Sequence, residues 1–204
     1  MPARPAIQLL SDEAINKIAA GEVIDRPASV LKELMENAID AGGMNIDVSI
    51  VDGGRKLIAV TDDGCGMNRD DAILCLERHA TSKLRSADDL EHVATLGFRG
   101  EALAAIAAVS RFTILTRRHE DPAGTEVTIS GGRMLDVREA GAAPGTTMSA
   151  RNLFFNVPAR RRFLRSDQTE LAHLRQVFLL YALSYPEVGL RLTVDEREVH
   201  RLMV

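Results

Sequence analysis

The stretch PASVLKELMENAIDAGGMNIDVSIVDGGRKLIAVTDDGCG, residues 27–66, decides the fold class, because its hydrophobic period switches from helical to strand-like within a few residues. Pro27 suits the first turn of a helix, where its missing N–H loses no partner, and Gly42-Gly43 ends that helix. At about 100° per residue, Val30, Leu31, Leu34, Met35, Ala38 and Ile39 form one stripe, while Glu33, Glu36, Asn37 and Asp40 gather opposite. One face packs and the other is acidic. Beyond the glycines, Ile46, Val48 and Ile50 alternate with polar residues, Asp52-Gly53-Gly54 supplies a turn, and Leu57 to Thr61 returns as a second strand.

Upstream, Ser11 with Asp12 and Glu13 opens a helix over Ala14 to Val23 that Gly21 interrupts. Downstream, Asn68 with Asp70 and Asp71 opens a helix expected to run to about His79, and Ser86 with Asp88 and Asp89 opens a short one. The stretch Ala80-Thr81-Ser82-Lys83 has no periodicity and reads as a mobile cover. Gly97-Phe98-Arg99-Gly100 leads into an Ala-rich helix from Glu101 to Val109. Strands are expected near 112–118, 125–130, 133–138 and 146–150. A long helix from Asp167 to Ser184 carries Leu171, Leu174, Phe178 and Tyr181 at helical spacing, and Val188 to Val204 reads as a hairpin around Asp195-Glu196. Helices, a hairpin, more helices and then a strand-rich half fit an α+β sandwich better than a doubly wound sheet.

A length of 204 residues is enough for one domain with a full core, and 46% hydrophobic with 26% charged residues is the balance of a globular protein. Residues 1–204 therefore read as a single domain, with a boundary expected at Val204. A net charge of −4 excludes a surface that is all nucleic-acid footprint and confines any DNA contact to a local patch. Cys65 and Cys75 are too few for a disulfide framework, Cys75 with His79 does not make a zinc site, and no structural metal is expected. The start of the chain shows neither a signal peptide nor a membrane span, so the reading is cytoplasmic with no membrane partner.

Three places carry chemistry. Glu33 and Asn37, one helical turn apart, can serve one ligand, although an isolated pair of this kind is more often a solvated helix face. Asp62, at a strand end, precedes Gly64 and Gly66, which let a ligand approach the backbone; an ordinary glycine turn would look the same. Gly97 to Leu103 places a glycine loop before a helix, where backbone N–H groups bind anions. Neither a P-loop nor a glycine fingerprint opening a βαβ unit is present, so a phosphate site must be built another way.

In this order the three elements resemble the N, G1 and G2 boxes of the GHKL ATPases, which join gyrase, heat-shock chaperones, histidine kinases and MutL. Ile18 to Val23, Arg26 to Val30, Arg78 to Lys83, Gly97 to Leu103 and Asn156 to Phe163 narrow the resemblance to MutL mismatch-repair proteins and argue against a chaperone or topoisomerase ATPase. One departure is Asp63, where many relatives carry asparagine.

The resemblance implies a two-layer α/β sandwich with a mixed, mostly antiparallel sheet covered by helices, followed in the family by a transducer domain. It implies ATP and Mg²⁺ as ligands, Glu33 as the base on the attacking water and Asn37 as the Mg²⁺ ligand. Asp62 would accept the adenine amino group, with Thr147 supporting it through water and Gly64, Gly66 and Met67 beside it. Thr81, Ser82 and Lys83 would belong to the lid, and Gly97, Phe98, Arg99, Gly100, Glu101, Ala102 and Leu103 would surround the phosphates. The implied function is slow ATP hydrolysis that switches an ATP-dependent homodimer and couples a MutS-type mismatch-recognition protein to downstream repair enzymes. A nucleotide-binding module that does not hydrolyse ATP is the alternative. Arg160, Arg161, Arg162 and Arg165 are the dense basic cluster that could meet DNA phosphates without sequence preference once two copies assemble, though a solvated helix approach or carboxylate pairing reads as well.

Overall fold

A computed structural model describes residues 20–77, 80 and 100–203. Its elements are α1 (Pro27–Asp40), β1 (Asn45–Val51), β2 (Leu57–Asp62), α2 (Arg69–Leu74), α3 (Ala102–Val109), β3 (Arg111–Arg117), β4 (Gly124–Ser130), β5 (Arg133–Ala140), β6 (Gly145–Arg151), α4 (Pro158–Phe163), α5 (Asp167–Ser184), β7 (Gly189–Val194) and β8 (Arg197–Leu202). The strands form one sheet in the order β5-β4-β3-β6-β2-β1-β7-β8. All pairings are antiparallel except β1 with β7.

Helices α1, α3 and α5 lie on one sheet face, so the expected α+β two-layer sandwich is the observed one. Along β1, Ile46, Val48 and Ile50 are buried and face Asp62, Val60 and Ile58 across the ladder to β2. The α1 stripe of Val30, Leu31, Leu34, Met35 and Ala38 packs on them, and Leu174, Phe178 and Tyr181 of α5 complete the layer. Each buried side chain of this kind contributes roughly 1.5–3 kcal/mol. Ser166 caps α5, accepting a hydrogen bond from Thr169 N at 3.4 Å. Asp195 and Glu196, with φ of 47° and 65°, make the two-residue turn between β7 and β8.

Two local expectations need correction, and one helix comes in addition to those expected. The helix opened by Asn68 stops at Leu74 rather than near His79: Leu76 N and Glu77 N donate to Ile73 O and Leu74 O, three residues back, so the chain tightens and leaves the helix. Glu36 is not on the acidic face, because it is 6% exposed and turned toward α5. The stretch after Val157 forms a helix of its own, α4, with Pro158 at its first turn. Of the first expected helix, residues 20–23 are described and are helical. The short helix at Ser86 and the cover at Thr81, Ser82 and Lys83 lie outside the described residues, as do Gly97, Phe98 and Arg99.

Candidate nucleotide site

Asp62 is the last residue of β2, and its side chain is on the helix-covered face with Ile58 and Val60. Gly64 N donates to Asp62 Oδ1 at 2.9 Å. Burial pushes the Asp62 carboxyl up to about 6, despite backbone donors from Gly64 and Thr146. A carboxylate held this way, 8% exposed, is a strong acceptor for a donor that enters the site.

The loop after Asp62 fits only glycine at two places. A Cβ on Gly64 would lie 2.6 Å from Ala41 O at the end of α1, where Cys65 N also donates at 2.9 Å. Gly66 has φ +66°, and a Cβ there would lie 2.1 Å from Arg117 O. Met67 N donates to Thr116 Oγ1 at 2.9 Å, which ties the loop to β3. Gly43, just past α1, is close enough that a Cβ would sit 3.1 Å from Asp62 Cβ. Asp62 therefore meets the C-terminal end of α1. Asn37 and Glu33, both half-buried, lie one and two turns back along the helix, with Glu33 about 12 Å along the axis from Ala41.

Asp63 has a different task. Its carboxylate accepts Met44 N at 2.7 Å, Asn45 N at 2.9 Å and Asn45 Nδ2 at 2.7 Å, pinning the loop to the start of β1. Burial works against its charge, but these three donors outweigh it and hold the carboxyl below its usual range. Acid at this position thus accepts more than an asparagine oxygen could.

Thr147 is not brought to Asp62. It pairs with Thr61 in the β2–β6 ladder, their hydroxyls 3.0 Å apart on the opposite sheet face. Thr146 is the partner of Asp62, buried, with its hydroxyl 2.9 Å from that of Thr116. Gly145 before it has φ +112°, and a Cβ there would lie 2.1 Å from Asp62 O. The sequence held the signal in Gly145-Thr146-Thr147, yet nothing local distinguishes the two threonines.

At the other end, Gly100 has φ +62° and would bring a Cβ within 2.4 Å of Ala80 O, so these two residues lie against each other. Glu101 is the N-cap residue of α3, and Ala102 and Leu103 open that helix half-buried. The four arginines do not form one patch. Arg160 is half-buried and its guanidinium occupies the place of a Gly21 side chain, 1.2 Å from where that Cβ would be, whereas Arg161, Arg162 and Arg165 are exposed. No helix among the described residues is long and apolar enough to cross a membrane.

Residues 25–132 match the family described as histidine kinase-, DNA gyrase B-, and HSP90-like ATPase. The chain is 56% identical over 198 residues, 96% of its length, to the DNA mismatch repair protein MutL of Syntrophotalea carbinolica, and 53% identical over 203 residues to that of Geobacter sulfurreducens. It spans about a third of the length of these relatives, 32% and 33%. Among solved structures it resembles the Aquifex aeolicus MutL ATPase domain complexed with ADP, with a TM-score of 0.71 and 34% identity, covering 88% of this chain and 64% of that one. The helix-borne Glu33 and Asn37, the buried Asp62 with its glycines and these matches agree: the chain belongs to the histidine kinase-, DNA gyrase B- and HSP90-like ATPase family, and its relatives there are MutL mismatch-repair proteins.

Proposed function

We propose that residues 1–204 form one ATP-binding domain of a MutL-type mismatch-repair protein, which hydrolyses ATP slowly with Mg²⁺. The observation that carries this reading is the buried Asp62 carboxylate, set beside glycines at which a Cβ would clash with neighbouring backbone and at the end of the helix that bears Asn37 and Glu33. Asp62 accepts the adenine amino group, with Thr146 rather than Thr147 beside it, and Gly64, Gly66 and Met67 line the base. The triphosphate then runs back along α1 toward Glu33. The ADP bound to the Aquifex aeolicus relative supports a nucleotide here.

Glu33 takes a proton from the water that attacks the γ-phosphorus. The Asn37 amide oxygen suits a hard cation without adding negative charge, and bound Mg²⁺ would neutralise charge on the phosphate oxygens. Gly97 to Leu103 supply N–H groups to the phosphates, and Thr81, Ser82 and Lys83 close over them. In the whole protein the nucleotide cycle switches a homodimer and couples a MutS-type mismatch-recognition protein to downstream repair enzymes in the cytoplasm.

Calorimetric titration with Mg-ATP and steady-state turnover of the wild type and Glu33→Ala test this reading. The variant should bind ATP and hydrolyse it at least a hundredfold more slowly. Wild-type turnover in Glu33→Ala would assign the base elsewhere, and wild-type binding without turnover would leave a nucleotide-gated interaction module.

A further inference from the structure

Lys32 stands between two carboxylates with different surroundings. Its Nζ lies 2.9 Å from Glu36 Oε1 and 3.6 Å from Glu33 Oε1. Exposed pairs on a helix surface ordinarily contribute little, because both side chains are free to wander. Here one partner is fixed. The Glu36 side chain is 7% exposed between α1 and α5, and the same Oε1 accepts the Tyr181 hydroxyl at 2.7 Å. Tyr181 is itself buried. Partial burial works against the Lys32 charge, but Glu36 and Glu33 outweigh it and keep the ammonium protonated above its ordinary range.

A glutamate has three rotatable bonds, and a base that must reach one particular water gains from losing that freedom before the reaction. We propose that Lys32 is a positioning residue for ATP hydrolysis: moored to Glu36, which Tyr181 holds in place, its ammonium holds the Glu33 carboxylate in the orientation from which it acts on the attacking water. This rests on the reading of Glu33 as the base. Lys32 transfers no proton. Glu33 takes the proton of the water as its oxygen bonds to the γ-phosphorus and the bond to the leaving ADP oxygen breaks. The mooring also explains why α1 bears a buried acid on the side facing α5, where an apolar residue would pack as well.

The test compares Lys32→Met, Lys32→Arg, Tyr181→Phe, the Lys32→Met/Tyr181→Phe double variant and Glu33→Ala. Single-turnover hydrolysis of Mg-ATP, calorimetric ATP binding and thermal melting are measured for each. Lys32→Met should lower the hydrolysis rate roughly tenfold with ATP affinity unchanged, and Lys32→Arg should restore most of it. Tyr181→Phe should slow hydrolysis less, and the double variant should be no slower than Lys32→Met, because both changes cut one tether. A wild-type rate in Lys32→Met while Glu33→Ala is inactive would overturn the role of Lys32 and leave Glu33 as the base. A wild-type rate in Glu33→Ala would remove the reading beneath both. Loss of ATP affinity in Lys32→Met equal to its loss of rate would make Lys32 a nucleotide contact and also overturn the proposal.

Discussion

Asp62 faces Thr146 across the β2–β6 ladder on the helix-covered side of the sheet, while one residue along each strand Thr61 and Thr147 meet through their hydroxyls on the other side. A single step of register thus separates the ladder partner of the buried carboxylate from a residue whose hydroxyl is on the other sheet face.

Asp62→Asn should stabilise the fold and weaken ATP binding. The folded carboxyl titrates at about 6 against an ordinary 3.8, so the folded state holds this proton more tightly than the unfolded chain. The ionised side chain therefore costs stability above about pH 6, on the order of 3 kcal/mol, and the cost is relieved as pH falls toward 3.8. Asparagine removes it. Losing the charged acceptor should weaken ATP binding by roughly ten- to hundredfold. Melting curves and calorimetry at pH 7.5 check both directions, and a lower melting temperature would contradict the first.

Nucleotide affinity should fall as pH drops through about 6, where Asp62, the proposed adenine acceptor, takes up its proton and loses the charge that strengthens its hydrogen bond to the amino group. Titrations with ADP between pH 5 and 8 read this limb. Asp62→Asn should lack it, which separates the residue from protonation of the phosphates.

Gly66→Ala should destabilise the protein far more than Gly42→Ala. Both have positive φ, +66° and +76°, but a Cβ on Gly66 meets Arg117 O at 2.1 Å and one on Gly42 meets nothing within 4 Å. The backbone penalty alone is about 1–2 kcal/mol, and the clash should add a comparable amount. Urea unfolding of the two variants gives the comparison.

Alkylation should find Cys65 and spare Cys75. Cys65 is exposed, whereas burial and the nearby Asp71 push the Cys75 thiol up to about 12. Mass spectrometry after iodoacetamide treatment at pH 8 should show one modified cysteine in the folded protein and two after denaturation.

Any DNA binding should be weak, sequence-independent and salt-sensitive, and Arg161→Glu should reduce its salt slope while Arg160→Ala acts mainly on stability. Arg161 is exposed, but Arg160 fills the space above Gly21. An unchanged slope in a folded Arg161→Glu protein would exclude the exposed arginines as phosphate contacts.

Much of this was legible because local period fixes local structure. The α1 stripe, the β1–β2 hairpin, the bounds of α5 and the Asp195-Glu196 turn need only neighbours in sequence. What failed depends on partners far along the chain. Helical spacing puts Glu36 among acids, but Tyr181, 145 residues away, turns it inward. Thr146 and Thr147 are equivalent until the β6 register is known, and Arg160 reads as a surface cation until Gly21 is placed beneath it. Apolar Cys75 and Leu76 continued a helical pattern that the backbone abandons at Leu74.

The parallel contact between β1 and β7 sets an order of assembly during synthesis. Residues 27–66, which carry Glu33, Asn37 and Asp62, leave the ribosome early, but the outer edge of β1 finds its partner only when Gly189–Val194 has been made. Until then Ile46, Val48 and Ile50 belong to a strand with one row of unpaired N–H and C=O groups, next to a hairpin already able to form. Such an edge pairs readily with a second nascent chain. A ribosome stalled between β6 and β7 thus holds the residues of the candidate nucleotide site on an unfinished sheet, and loss of the last hairpin exposes β1, the strand paired with the one that ends in Asp62.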